Sequence, residues 1–337
     1  MKTKLLLLLS LPVILRTTVV CGQSKEVQFL IDTTISIMQQ QSVNAKAVNW
    51  ARLQKEALKA SAGITDPYQS GPVIRELFRS IDDFHGRLFY KDSMFQWSHN
   101  APVVSDSIKN EWKNRSGVKT YLVEKNIGYL RIPSMPYSGR KDCDFKAQSL
   151  NDSLCLLLTQ NIKGLIIDLR INGGGAMYPM ILGVEQLLMH GRIGSFEPGE
   201  NAVWYLTDDD FAFDTTVLAS ITPKCSINAQ HMPVVILTSP ATGSSAEFFI
   251  IAFKGRPETV LLGSPTAGFI TSIKEFVIND AASVLLSTSY GVDRNGKVYK
   301  AAIKPDIPFA DKDSFNDIPN DEKVGAAVKW LKQHMNN

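Results

Sequence analysis

The chain has 337 residues, 44% of them hydrophobic and 20% charged, with a formal net charge of +3 at neutral pH. That length and apolar content can bury one large core plus a smaller domain, and so nearly balanced a charge excludes the basic footprint of a nucleic-acid-binding protein. Five histidines and four cysteines show no HxxxH or paired-cysteine spacing, so neither a metal nor a cofactor is expected.

In chain order, the first element reads as an export signal. The basic Met1-Lys-Thr-Lys4 precedes the apolar Leu5 to Leu15, a run too short to span a bilayer. Val20-Cys-Gly22 supplies small residues for cleavage after Gly22, which sets a first boundary at 1–22; Val20 is large for a lipoprotein signal, which disfavours lipid anchoring at Cys21. A secreted or periplasmic protein without a stable membrane span is expected. Of the mature cysteines, Cys143, Cys155 and Cys225, at most two can pair within the chain.

Residues 23–90 read as a small helical domain. Val27, Leu30, Ile31, Thr34, Ile35 and Met38 recur at helical spacing, a second set runs through Val48, Leu53, Ala57 and Leu58, and Gly71-Pro72 starts a third helix that carries Ile74, Leu77, Phe78 and Ile81 toward His85. The polar stretch 91–117 reads as a connection. From 118 to 337 a hairpin-like pair, Thr120 to Glu124 and Ile127 to Ile132, is followed by alternating strands and helices, which predicts an α/β core with mainly parallel strands.

Two segments of that core carry chemistry. Leu165 to Arg170 is an apolar strand ending in charges, followed by Ile171-Asn-Gly-Gly-Gly175 and a helix-like run from Met177 to His190. Three glycines permit unusual dihedrals or a close approach of a ligand. The Lys-Ser/Thr of a phosphate loop is absent and the dinucleotide spacing is not met, so an oxyanion hole fits better. The strand Val234 to Leu237 leads into Thr242-Gly-Ser-Ser-Ala-Glu247 and the helical Phe248 to Ala252, placing a serine where helix N-terminal amides stabilise an anion. An ordinary helix N-cap is the alternative for the same residues.

These residues resemble the C-terminal processing and tricorn-like serine peptidases. Asp168 to Gly175 is similar to the family's DLRxNxGG signature and Thr242 to Glu247 to its TxSx(A/S)E segment. Ile127 to Ile132, Gly263 to Gly268 (GxxTxG) and Ile303 to Ile307 (the G(V/I)xPD(I/V) element) follow in the family's order. The resemblance implies a ClpP/crotonase-like superhelical core, with too few residues between His85 and Tyr121 for a PDZ domain. It implies Ser244 as nucleophile, with Ser245 as the rival register, and the amides of Ser245 and Gly174 as oxyanion donors.

The processing branch places a lysine base where this chain has Phe269 and Ile270, and Lys274 reads as the exposed partner in an alternating strand. Asp82-Asp-Phe-His-Gly86 instead resembles the DxH(S/T) segment of the tricorn and interphotoreceptor retinoid-binding branch, which makes His85 the base, with Gly86 departing from Ser/Thr. His99, His190, His231 and His334 lack such a context. No carboxylate occupies Val298 to Ala302, where related chains often carry a Glu; Glu275, Asp293 or Asp83 remains to orient the imidazole, or the Ser/His pair relies on backbone groups. The implied activity is that of an exported serine endopeptidase acting on peptides or unfolded segments, rising with pH as an imidazole deprotonates near neutrality. The alternative is an inactive member that binds a peptide or apolar ligand; a crotonase-type acyl-CoA enzyme is more distant, since it leaves the serine at the helix start unexplained.

Overall fold

A computed structural model of the chain describes residues 24–98, 103–114, 116–199, 202–309 and 313–335; the expected export signal and His99 lie outside these. Helix α1 (Lys25–Gln41) starts where the Ser24 hydroxyl accepts from the Val27 amide, and it buries Val27, Leu30, Ile31, Ile35 and Met38 on one face. Helices α2 (Trp50–Ala60) and α3 (Gly71–Ser80) follow, the first capped by Asn49 and the second with proline in its first turn. Their apolar faces meet each other and close over Leu88, Tyr90 and Phe95 of strands β1 (Arg87–Tyr90) and β2 (Ser93–Phe95). The stretch read as a connection therefore carries β2, and it also carries helix α4 (Asp106–Lys113).

Strands β3 (Lys119–Glu124) and β4 (Ile127–Arg131) form the expected antiparallel pair. Then come α5 (Arg140–Leu158), β5 (Gly164–Asp168) and α6 (Met177–Leu182). The helix predicted to reach His190 stops at Leu182. Gly183 packs so closely on α5 that a Cβ there would lie 2.7 Å from Leu150, and a 3-10 turn at Glu185–Leu187 redirects the chain. Next are β6 (Gly191–Glu197), β7 (Val203–Leu206), β8 (Asp210–Phe213), β9 (Thr216–Ser220), β10 (Val234–Thr238), α7 (Ser245–Phe253), β11 (Thr259–Gly263), β12 (Thr271–Asn279), β13 (Ala282–Asp293), β14 (Ile307–Pro308) and α8 (Glu322–His334).

The fold is α/β with two sheets. One has the order β14-β11-β10-β5-β4-β3, parallel except for β3; the other is antiparallel, running β2-β1-β13-β6-β7-β8-β9 with β12 also on β13. Strands β5 and β10 are buried throughout, as continuous apolar runs covered on both faces should be. Leu165, Ile167, Val234 and Ile236 pack with residues of α5, α6 and α7, whereas Ile166, Val235 and Leu237 pack with Val324, Ala327 and Leu331 of α8. A disulfide joins Cys155 of α5 to Cys225 beyond β9, and Cys143 stays a buried free thiol. Among the described residues no helix is long and apolar enough to cross a membrane.

Candidate active site

Strands β5 and β10 pair in parallel, Leu165 beside Val234 through Asp168 beside Leu237, so the loops leaving their C-terminal ends emerge side by side. Hydrogen bonds stitch these loops together: the Gly243 amide donates to the Asn172 carbonyl at 3.0 Å and the Thr242 hydroxyl to the Leu169 carbonyl at 2.9 Å. Ser244 sits at the turn into α7 with φ 55° and ψ −122°, a conformation that costs an L-residue of order 1–3 kcal/mol and needs surrounding structure to hold it. Glu247 provides part of that hold. Its buried carboxylate accepts the Ser244 amide at 2.9 Å and the Gly268 amide at 2.9 Å, together with the Thr266 hydroxyl. Burial pushes this carboxyl up to about 7 against those hydrogen bonds.

The glycine loop lies against the serine. Gly174 has φ +111°, and a Cβ there would sit 2.7 Å from Ser244 Cβ and 3.2 Å from the Ser245 nitrogen. Asn172 pins the loop, accepting from the Gly174 amide at 2.9 Å while its Nδ2 donates to the Ile132 carbonyl at 3.2 Å. The Gly173 amide donates to Ser134 Oγ at 2.8 Å. Ser244 is half-buried, whereas Ser245 is buried and donates its hydroxyl to the Gly175 carbonyl.

Asp168 and Arg170, the charged start of the glycine-loop motif, lie beneath it in a fully buried ion network. Arg170 reaches Asp168 at 2.7 Å, Asp321 at 2.8 Å and Asp313 at 2.9 Å, and stacks 4.7 Å over the Phe315 ring. The Tyr129 hydroxyl donates to Asp168 at 2.6 Å. Burial opposes the Asp168 charge most strongly, but Arg170, Arg131 and the Tyr129 hydroxyl together hold the carboxyl below its ordinary range.

His85 lies between α3 and β1, 9% exposed. Burial first, and the Arg87 charge second, lower its pKa to about 4. Its Nδ1 is 3.0 Å from Thr271 Oγ1, which is 2.8 Å from Ser287 Oγ, which donates to Asp83 Oδ1 at 2.7 Å. Asp83 also accepts the amides of Gly86 at 2.7 Å, Ser287 at 2.9 Å and His85 at 3.1 Å, and burial raises its carboxyl against those bonds. A side chain at Gly86 would meet Asp83 Oδ2 at 2.5 Å, so the Asp83 carboxylate occupies the space that a side chain there would need.

The segment between β11 and β12 touches both functional groups: Gly268 is tied to Glu247 beneath Ser244, and Thr271 holds His85. Phe269 lies between them, its ring 5.1 Å from the imidazole and 3.2 Å from where a Cβ on Gly243 would stand. An aromatic wall thus replaces the processing branch's lysine, and Lys274 is exposed on β12. Of the candidate orienting acids, Glu275 is exposed and Asp293 accepts from the Tyr299 hydroxyl at 2.9 Å; only Asp83 connects to His85. Thr271 and Ser287 escaped the sequence reading because hydroxyls in alternating strands carry no signal of their own. Elsewhere, His190 is flanked by Asp208 at 2.8 Å and Glu185 at 3.2 Å, on a cavity of about 810 Å³ that neither Ser244 nor His85 lines.

The family model described as peptidase family S41 matches residues 126–309. The nisin-resistance protein of Lactococcus lactis subsp. lactis is 26% identical over 288 residues, covering 85% of this chain and 81% of that one. The carboxy-terminal processing protease of Bacillus subtilis strain 168 is 25% identical over 242 residues, covering 67% of this chain and 46% of the other, so the chain spans under half of that relative. Among solved structures, a lipoprotein from Streptococcus agalactiae superposes with a TM-score of 0.66 at 21% identity over 98% of this chain and 100% of that one, which speaks to fold alone.

Proposed function

The chain belongs to peptidase family S41 and is a serine-type peptidase; from that premise we propose that it is an exported endopeptidase cleaving peptides or unfolded segments through an acyl-enzyme on Ser244. The observation that carries this reading is the Ser244 turn, a half-buried hydroxyl held at φ 55° between β10 and α7 with the glycine loop against its Cβ. Ser245 is a poorer nucleophile because it is buried and its hydroxyl proton is committed to Gly175.

In this mechanism His85, neutral across the physiological range because its pKa is lowered to about 4, takes the Ser244 proton as Oγ attacks the scissile carbonyl. The Ser245 amide, first in α7 and so without an intrahelical acceptor, serves as one donor to the developing oxyanion. The Gly174 amide is the second donor, and the oxyanion competes for it with Asn172 Oδ1. Collapse of the tetrahedral species breaks the C–N bond, the leaving amine takes the proton from His85, and water then attacks the acyl-enzyme by the same route. Export is supported by the basic and apolar amino terminus and by the Cys155–Cys225 disulfide, a bond that persists in oxidising compartments.

The test is a fluorophosphonate probe and unstructured casein offered to the purified protein. Wild type should label on Ser244 and cleave casein, and Ser244→Ala should do neither while melting unchanged. Retained hydrolysis in Ser244→Ala with loss in Ser245→Ala would show the register to be wrong. A wild-type protein that neither labels nor cleaves, yet binds a peptide, would favour the non-catalytic reading.

A further inference from the structure

We infer that Asp83 serves as the remote third member of the catalytic constellation, acting on His85 through the hydroxyls of Ser287 and Thr271. The inference rests on the Ser244/His85 reading above and supplies the orienting group that Val298 to Ala302 lacks.

The direction of the chain follows from counting protons. Both Asp83 oxygens accept main-chain N–H groups, Oδ1 from Gly86 and His85 and Oδ2 from Ser287, which fixes them as acceptors. The Ser287 hydroxyl therefore donates to Oδ1. A hydroxyl has one proton, so Ser287 Oγ must accept at its other contact, and the Thr271 hydroxyl, 2.8 Å away, must be the donor there. Thr271 has then spent its own proton, so its contact with His85 at 3.0 Å is an acceptor and the imidazole carries its hydrogen on Nδ1. Nε2 is left with the lone pair, which is the tautomer a base for Ser244 needs.

Each link also has a structural anchor. Thr271 opens β12 and Ser287 lies opposite Ile273 in the β12–β13 ladder, so the two hydroxyls are presented by paired strands. Asp83 is 2% exposed, and its backbone donors come from both the His85 turn and β13, so it joins the loop that bears the base to the sheet that bears the relay. When His85 takes the Ser244 proton, the Nδ1–H bond to Thr271 strengthens and the hydroxyls polarise toward the carboxylate; no proton leaves the ring along this path. Asp83, Ser287 and Thr271 are thus positioning residues. Arg87 is the charged group that acts directly on the imidazole, and it opposes the imidazolium.

The test pairs activity with the protonation pattern of the ring. Nitrogen-15 NMR of the histidine-labelled protein should show His85 protonated on Nδ1 and bare on Nε2, and Thr271→Val, which keeps shape and removes the hydroxyl acceptor but leaves the Thr271 main chain, should shift the Nδ1 resonance and weaken that preference. Thr271→Val and Ser287→Ala should each lower kcat on casein peptides roughly tenfold or more with KM unchanged, and Thr271→Ser should recover most of that loss. A wild-type ring protonated on Nε2, or a folded Thr271→Val with wild-type kcat, overturns the relay. If Ser244→Ala and His85→Ala abolish turnover while Thr271→Val does not, the relay alone is wrong; if His85→Ala keeps full turnover, the base assignment fails with it.

Discussion

At the scale of single residues, the buried His85 and Glu247 bear most directly on the pH behaviour of the Ser244 site. The expectation that activity rises as an imidazole deprotonates near neutrality needs correction: with its pKa lowered to about 4 by burial and Arg87, His85 is already a free base at neutral pH. A pH profile of fluorophosphonate labelling should rise at about pH 4. An inflection near 7 that vanishes in Glu247→Gln belongs to Glu247, whose ionised form is the better acceptor for the Ser244 and Gly268 amides; Glu185, also pushed up to about 7 by burial, lines the separate His190 cavity. Glu247 also leaves a mark on stability. Its folded pKa of about 7 exceeds the ordinary 4.5, so the stability it contributes is full below 4.5 and is lost as pH rises through 7, a difference worth ~3 kcal/mol. Urea unfolding at pH 5 and pH 8 should show that loss in wild type and a smaller one in Glu247→Gln, where the share of Glu185, also pushed up to about 7, remains; the amide of Glu247→Gln also leaves a donor facing a donor at a cost of ~1–3 kcal/mol. His85 works the other way: its depressed pKa removes stability as pH falls from 6.5 toward 4. Gly174→Ala should abolish labelling in a folded protein, because its Cβ would lie 2.7 Å from Ser244 Cβ at a φ of +111° that alanine resists; labelling at the wild-type rate would mean the loop is not packed on the nucleophile.

At the scale of elements, the charged half of the glycine-loop motif is foundation rather than chemistry. Arg170 pairs with Asp168, Asp313 and Asp321 in a fully buried site where Lys323 also reaches Asp313, so Arg170→Met should cost ~3–5 kcal/mol in chemical denaturation by stranding Asp168 and Asp321. Labelling should fall in parallel, since the loop that carries Gly174 springs from this network. What could be read from sequence divides along the same line. The Ser244 turn and the glycine loop are local strand–turn–helix units, and their residue types alone demanded special backbone, so both were legible. The end of α6 was not, because Leu150 on another helix decides it. Nor was the link from Asp83 to His85: it runs through two hydroxyls, and Asp83 and Ser287 are 204 positions apart.

At the scale of the whole molecule, the Cys155–Cys225 bond closes a loop of 70 residues that contains β5, the glycine loop and β6 to β9. In the chain-entropy account, a loop of that length restrains the unfolded ensemble by ~4 kcal/mol. Reductant should therefore shift the urea midpoint down, and Cys155→Ser should match the reduced protein; identical midpoints would mean that the bond does not form in solution.

Long-range assembly has a further consequence, for the history of the chain. The His85 imidazole meets the Thr271 hydroxyl across 186 positions. Contacts of such separation are entropically costly to close and form late. On the reading of His85 as base, a nascent or partly folded molecule therefore lacks the oriented imidazole that would activate Ser244. On that reading, neighbouring chains that are still unfolded, and so in the most cleavable state, would meet no competent hydrolase until the last sheet closes, and topology would do here what a removable pro-segment does elsewhere.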